Sequence, residues 1–315
     1  MEVVSGEGNT TAPSALVVEG GAMRGIFAAG VLDAFLAEDF MDFDFTVGVS
    51  AGSTNLIGYL AGDYGRNHTV ITGHACRPEF INWRRFLRGG HLCDVGWLWH
   101  QSYRDVALNF ERYLSQGIPL WVGTTAIETG TPRYYRIDAD NLHDVFTASC
   151  SIPVAYRTFP EVDGLPMTDG GIADSIPVEW AYEQGARDIT VVLSRPQGFR
   201  KQPSRFPALM RPLFREHPAL YQAVVSRAAR YNATLDFIES PPDGCRVRVV
   251  APPEDFPVGR LTTDAEKLET GYQQGARAAR RYLGVPLGSQ ADASPDTPDL
   301  PAGGVSRPEE RPAAR

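Results

Sequence analysis

Asp44-Phe45-Thr46-Val47-Gly48-Val49-Ser50-Ala51-Gly52, with residues 53–61 behind it, reads as an apolar strand that runs through a turn of small residues into a helix. A strand-to-helix turn of this kind lifts the hydroxyl of its central serine above the sheet, and Gly48 and Gly52, two positions either side, leave room where a side chain would collide. Gly48-Val49-Ser50-Ala51-Gly52 is therefore a candidate nucleophile elbow, with Ser50 as the nucleophile. The competing reading is an ordinary glycine-lined turn, and the sequence context of strand, elbow and helix favours the elbow.

Upstream, Leu16-Val17-Val18-Glu19-Gly20-Gly21-Ala22-Met23-Arg24-Gly25 is a second strand that runs into glycines and then into an apolar helix over residues 25–37. Glycines let the backbone approach a ligand, and a helix start offers unpaired NH groups to an anion. A dinucleotide fold begins the same way but needs an acidic residue at the end of its second strand. Here Asp42 and Asp44 precede that strand, so the nucleotide reading fails. Further apolar runs at residues 120–127, 189–193 and 247–250 join those at 15–19 and 43–49 as strands. Because they are apolar throughout and do not alternate, they predict a mostly parallel sheet covered on both faces, a three-layer α/β/α domain. The reading gives one domain over residues 14–283, a flexible segment over 1–13, and a disordered tail over 284–315, where six prolines and no aromatics offer little apolar surface to offset ordering.

A serine nucleophile needs a base. Of the six histidines only His217 follows the acidic candidates, as the usual Ser–Asp–His order requires, and it sits in what reads as a helix boundary and not a strand-end loop. Residues 145–171 offer another base. Asp163-Gly164 between short apolar runs is a hairpin signal, so the return strand delivers Asp169, followed by Gly170-Gly171, to its end. Asp169 would also suit a plain turn cap. Local sequence leaves both roles open.

The glycine-rich loop with its arginine, the Gly-x-Ser-x-Gly elbow and Asp169-Gly170-Gly171, in this order, resemble the patatin-like phospholipase family, and the likeness runs from residue 15 to about residue 283, through Ala148-Ser149-Cys150-Ser151-Ile152-Pro153. The resemblance implies a Ser-Asp dyad, Ser50 and Asp169, that hydrolyses acyl esters of lipids or phospholipids with no histidine, metal or other cofactor. It also implies an oxyanion loop over Gly20, Gly21, Ala22, Arg24 and Gly25, in which the NH groups of Gly21 and Ala22 and the charge of Arg24 meet the developing oxyanion. Ala22 stands where the family usually has a third glycine. If the backbone there has positive φ, its Cβ is strained, and a non-catalytic lipid- or membrane-binding protein on the same scaffold becomes the alternative.

The remaining composition narrows the field. In 315 residues with a net charge of −8, surplus Lys and Arg for nucleic acid are missing, and no run is long and apolar enough to span a membrane, so the expectation is a cytoplasmic protein that binds no nucleic acid. Four scattered cysteines with no CxxC pair suggest neither disulfides nor a zinc module. Residues 195–230 carry eight basic residues against the single acidic Glu216, with Phe206, Leu209, Met210, Leu213 and Phe214 at helical spacing. This stretch either meets an anionic membrane peripherally, at the inner face, or packs on the core with a solvated basic side. The aromatics of residues 78–105 either cover the sheet or line an acyl-chain cleft.

Overall fold

A computed structural model describes residues 12–286. The expected flexible start and disordered tail fall largely on residues 1–11 and 287–315, outside the described residues. Eight strands form one sheet: β1 (Ser14–Val18), β2 (Phe45–Val49), β3 (Leu120–Ala126), β4 (Pro132–Arg136), β5 (Glu161–Val162), β6 (Leu165–Asp169), β7 (Asp188–Val192) and β8 (Arg246–Val250). The order is β5-β6-β3-β2-β1-β7-β8, with β4 beside β3. The pairs β3–β2, β2–β1, β1–β7 and β7–β8 are parallel, while β4, β5 and β6 pair antiparallel.

Successive side chains of a strand point to opposite faces, and β1 shows what each face meets. Leu16 and Val18 pack with Phe27, Val31 and Leu32 of helix α1 (Gly25–Ala37) and with Leu56 and Leu60 of α2 (Ala51–Leu60). Ala15 and Val17 pack on the other side with Val178 and Ala181 of the helix Val178–Glu183 and with Tyr231, Leu235 and Ile238 of the helix Pro218–Glu239. This double coverage makes three layers, and it explains why the central strands carry no polar alternation.

The register of β3 decides where chemistry can occur. Its residues 120–123 pair with residues 46–49 of β2, and the next one, Thr124, pairs with Asp169 of β6. Since β4 occupies the other edge over residues 121–125, β6 continues along the edge that β2 leaves. The end of β2, where Ser50 follows, is thereby brought beside the end of β6. The β5–β6 hairpin turns through Asp163 (φ 53°) and Gly164 (φ 73°), the two left-handed residues of a type I′ turn.

Candidate active site

Ser50 sits in the turn between β2 and α2 with φ 53° and ψ −130°, a conformation L-residues rarely adopt, and is only 7% exposed. A Cβ on Gly52 would lie 2.3 Å from the carbonyl oxygen of Val18, and one on Gly48 2.7 Å from the nitrogen of Ser53, so both positions admit hydrogen alone. The turn is pinned from below. The Ser50 amide donates to Ser149 Oγ at 2.8 Å, and that hydroxyl donates on to the Gly123 carbonyl at 2.7 Å.

Asp169 is 5% exposed at the end of β6. Its Oδ1 accepts the Gly171 amide at 2.8 Å, and Thr125 Oγ1 donates to its carbonyl at 2.8 Å. The carboxyl group also has the Ser50 side chain as a hydrogen-bonding neighbour. Asp169 thus caps the turn and faces the serine together, and the two roles left open in the sequence are compatible. Burial pushes its pKa up; Arg227, the Ser50 hydroxyl, the Gly171 amide and Arg260 pull the other way. The Cys150 thiol lies against the same pair and is pushed up to about 12 by burial and by the Asp169 charge.

The glycine loop lies against the elbow. A Cβ on Gly20 would stand 2.7 Å from the Val49 carbonyl oxygen, one on Gly21 2.9 Å from Ser194 Cβ, and one on Gly25 3.1 Å from Ala51 Cβ. Ala22 opens the short 3-10 turn Ala22–Arg24 with φ 51°, so the Cβ absent from a glycine is carried here in the left-handed region. The amides at this turn start have no helical carbonyl to donate to. Arg24 is 2% exposed; its Nη2 donates to Ser194 Oγ at 3.0 Å, while Nε and Nη1 have no partner among the described residues.

Other candidate groups lie apart. His217 precedes the helix Pro218–Glu239 and stands edge-on to Phe159. Of the aromatics in residues 78–105, Trp99 stacks on Phe146 while Trp83 and Tyr103 are exposed. Among the described residues no group of three His, Cys, Asp or Glu is placed to hold a metal. The basic stretch divides: Arg200 pairs with Asp236 and Glu239, Arg230 bonds the carbonyls of Ile172, Ala173 and Ala223, and Arg227 lies beside Asp169. Arg205, Arg211 and Arg215 remain exposed, next to exposed Phe206, Leu209 and Leu213. Leu209, Arg211 and Leu213 lie on a 3-10 helix, Pro207–Phe214, inside which Pro212 lacks the NH that an α-helical ladder needs.

Three site residues escaped the sequence reading: Ser149 under the elbow, Glu19 behind the loop, and Arg227. Ser149 stood in a quoted segment without a role, and Arg227 was counted only as one charge of a basic stretch.

The family model for patatin-like phospholipases matches residues 16–182, more than half of the chain. The chain belongs to the patatin-like phospholipase family. That match spans the glycine loop, Ser50 and Asp169 of the patatin domain and ends before Arg195, Arg227 and Arg260. A second model, for a domain of unknown function (DUF6363), matches residues 217–284. Among curated proteins, the uncharacterised protein YjjU of Escherichia coli (strain K12) is 33% identical over 273 residues, covering 85% of this chain and 76% of that protein. Among solved structures, VipD from Legionella pneumophila is similar with a TM-score of 0.46 and 13% identity, over 86% of this chain and 67% of that chain. Membership brings a lipid substrate and acyl-ester hydrolysis as the general chemistry of the patatin-like domain.

Proposed function

We propose that the chain is a serine acyl-ester hydrolase that acts on lipid esters through a Ser50–Asp169 dyad. The observation that carries this reading is the meeting of a strained, nearly buried serine with a buried carboxyl group at the ends of neighbouring strands. Ser50 Oγ attacks the acyl carbonyl carbon while Asp169 takes its proton; the ester C–O bond then breaks, and the alcohol leaves with that proton. Water, deprotonated by Asp169, attacks the acyl-serine and releases the carboxylic acid. The amides of Gly21 and Ala22 meet the oxyanion of both tetrahedral intermediates, each donor contributing about 3 kcal/mol to the barrier reduction.

A free carboxylate is a weak base for a serine hydroxyl, and burial of Asp169 strengthens it. Only ionised Asp169 can accept the proton, so kcat/KM rises as pH climbs through its raised pKa. Fatty-acid release from a dispersed neutral ester tests the dyad: Asp169→Asn lowers kcat by about 10²–10⁴-fold, a general base's usual share, and Ser50→Ala abolishes turnover, while His217→Ala leaves it intact. Full activity in Ser50→Ala, or its loss in His217→Ala, contradicts the dyad.

A second reading, a lipid-binding protein without turnover, draws on the left-handed Ala22 in the oxyanion loop. In either case Phe206, Leu209 and Leu213, 66%, 76% and 62% exposed, together with Arg205, Arg211 and Arg215, suit peripheral contact with an anionic membrane face of the cytoplasm.

A further inference from the structure

Five cations, Arg24, Arg195, Lys201, Arg227 and Arg260, act electrostatically on one another or on two shared carboxylates, Asp169 and Glu19. Four of them lie beyond the segment matched by the patatin model. None of the five forms an ion pair among the described residues. The carboxylates are already engaged. Glu19, itself 3% exposed, accepts the Ser194 amide at 2.6 Å and the Tyr231 hydroxyl at 3.1 Å, and Asp169 accepts the Gly171 amide and has the Ser50 side chain as a neighbour.

Donors are left over around them. Among the described residues Arg24 keeps Nε and Nη1 without a partner at 2% exposure, and the buried Nε of Arg227 has none either. Arg227 Nη2 and Asp169 Oδ1 flank the same small space above Gly171, where a Cβ would lie 3.2 Å from one and 3.0 Å from the other. The Lys201 ammonium rests on the ring of Tyr231, 3.9 Å from its centroid, and Arg260 offers its carbonyl to the Met23 amide of the oxyanion loop at 3.4 Å. Of the five, Arg24 is buried, Arg195, Lys201 and Arg227 are half-buried and Arg260 is exposed; holding like charges even partly out of water is costly unless a counter-charge joins them. Against the two engaged carboxylates the cluster keeps a surplus of positive charge, carried by its four arginines.

We propose that this cluster is a subsite for the phosphate of the ester substrate, one that selects a lipid phosphomonoester of the phosphatidate kind over a zwitterionic choline phosphodiester. Guanidinium groups fit phosphate oxygens in pairs, and a dianionic phosphomonoester offsets more of the surplus than a headgroup that brings its own cation. The assignment of this phosphate to a substrate rests on the Ser50–Asp169 reading; the binding itself does not. Lys201 is pushed down to about 7, by burial first and then by Arg227 and the other cations, with Glu19 opposing. A bound dianion favours the charged ammonium, so binding takes up protons near pH 7.5 and weakens as pH rises further.

The test titrates the full-length Ser50→Ala protein, by calorimetry in two buffers of different ionisation enthalpy, with inorganic phosphate, dihexanoyl phosphatidate and dihexanoyl phosphatidylcholine. The expected result is phosphatidate at least about ten-fold tighter than phosphatidylcholine, with proton uptake, and a loss of that preference by a similar factor in Lys201→Gln and Arg260→Gln whose melting curves stay cooperative. Equal binding of the two lipids, or a preference indifferent to both substitutions, overturns the subsite. Binding of inorganic phosphate without preference for phosphatidate makes it a free-phosphate site and overturns the lipid assignment. Wild-type protein labelled in parallel with a fluorophosphonate keeps the two readings apart: without labelling but with selective phosphatidate binding, the dyad falls and the phosphate site stands.

Discussion

Ser50 and Ala22 both hold positive φ, 53° and 51°, and the two strains have different consequences. At Ser50 the conformation raises the hydroxyl towards Asp169, and the bond to Ser149 and the tight contacts of Gly48 and Gly52 hold it there. At Ala22 the Cβ adds strain without adding a contact to the chemistry, at a cost of about 1 kcal/mol. Ala22→Gly is expected to recover that amount, a rise of a few degrees in melting temperature, and to leave kcat equal or higher; a fall in both would mean that the methyl group has a packing role. Ser50, Asp169 and the loop could be read because each belongs to a short contiguous pattern. Glu19, Ser149 and Arg227 could not, since their partners are 175, 99 and 58 residues away along the chain and only folding brings them together.

Between elements, the closest packing joins α1 to the helix Ala265–Leu283. Cβ atoms on Gly30 and Gly275 would stand 2.0 Å and 2.1 Å from carbonyl oxygens of the opposite helix, so the backbones touch. Into that contact Tyr272 donates a hydrogen bond to the buried Asp33 at 2.8 Å. Burial raises Asp33 from 3.8 to about 6, against the Tyr272 bond, the Gly65 amide and His68. A folded-state pKa above the unfolded one favours the protonated carboxyl, so the stability present below pH 4 is lost as pH rises through 6. Asp33→Asn keeps an acceptor for Tyr272 and removes that loss. It is expected to be more stable than wild type by about 1–3 kcal/mol at pH 8 and by much less at pH 4, measured by urea unfolding. At this scale the five central strands read from apolar runs lie within two residues of their observed bounds, and the Asp163-Gly164 hairpin is as expected. β4, Pro-Arg-Tyr-Tyr-Arg, escaped notice because an exposed edge strand with a proline start carries no apolar run. The residues at helical spacing around Leu209 form a 3-10 segment because the prolines among them outweigh the spacing.

Over the whole molecule, the two family matches fall on interlocked parts. β8, inside the second match, extends the sheet beyond β7, and the helix Ala265–Leu283 covers α1 of the first. We therefore propose a single unit over residues 14–283. A chain ended at residue 186 loses β7 beside β1 and the cover of α1, leaving β1 as an exposed edge, and is expected to show no cooperative thermal unfolding. A sharp transition in that fragment would divide the unit in two. Three members of the cationic cluster, Arg195, Lys201 and Arg227, fall in the basic stretch at residues 195–230, but their convergence with Arg24 and Arg260 from distant segments is made only by folding.

The central claim is that Ser50 is activated by Asp169. It is tested most directly by incubating purified protein with a fluorophosphonate and measuring intact mass, since the reagent needs an activated serine and a working oxyanion site whatever the natural lipid. One adduct on wild type, with none on Ser50→Ala and a strongly slowed one on Asp169→Asn, is the predicted result. A folded wild type that stays unlabelled, or a Ser50→Ala protein that labels as fast, would contradict it.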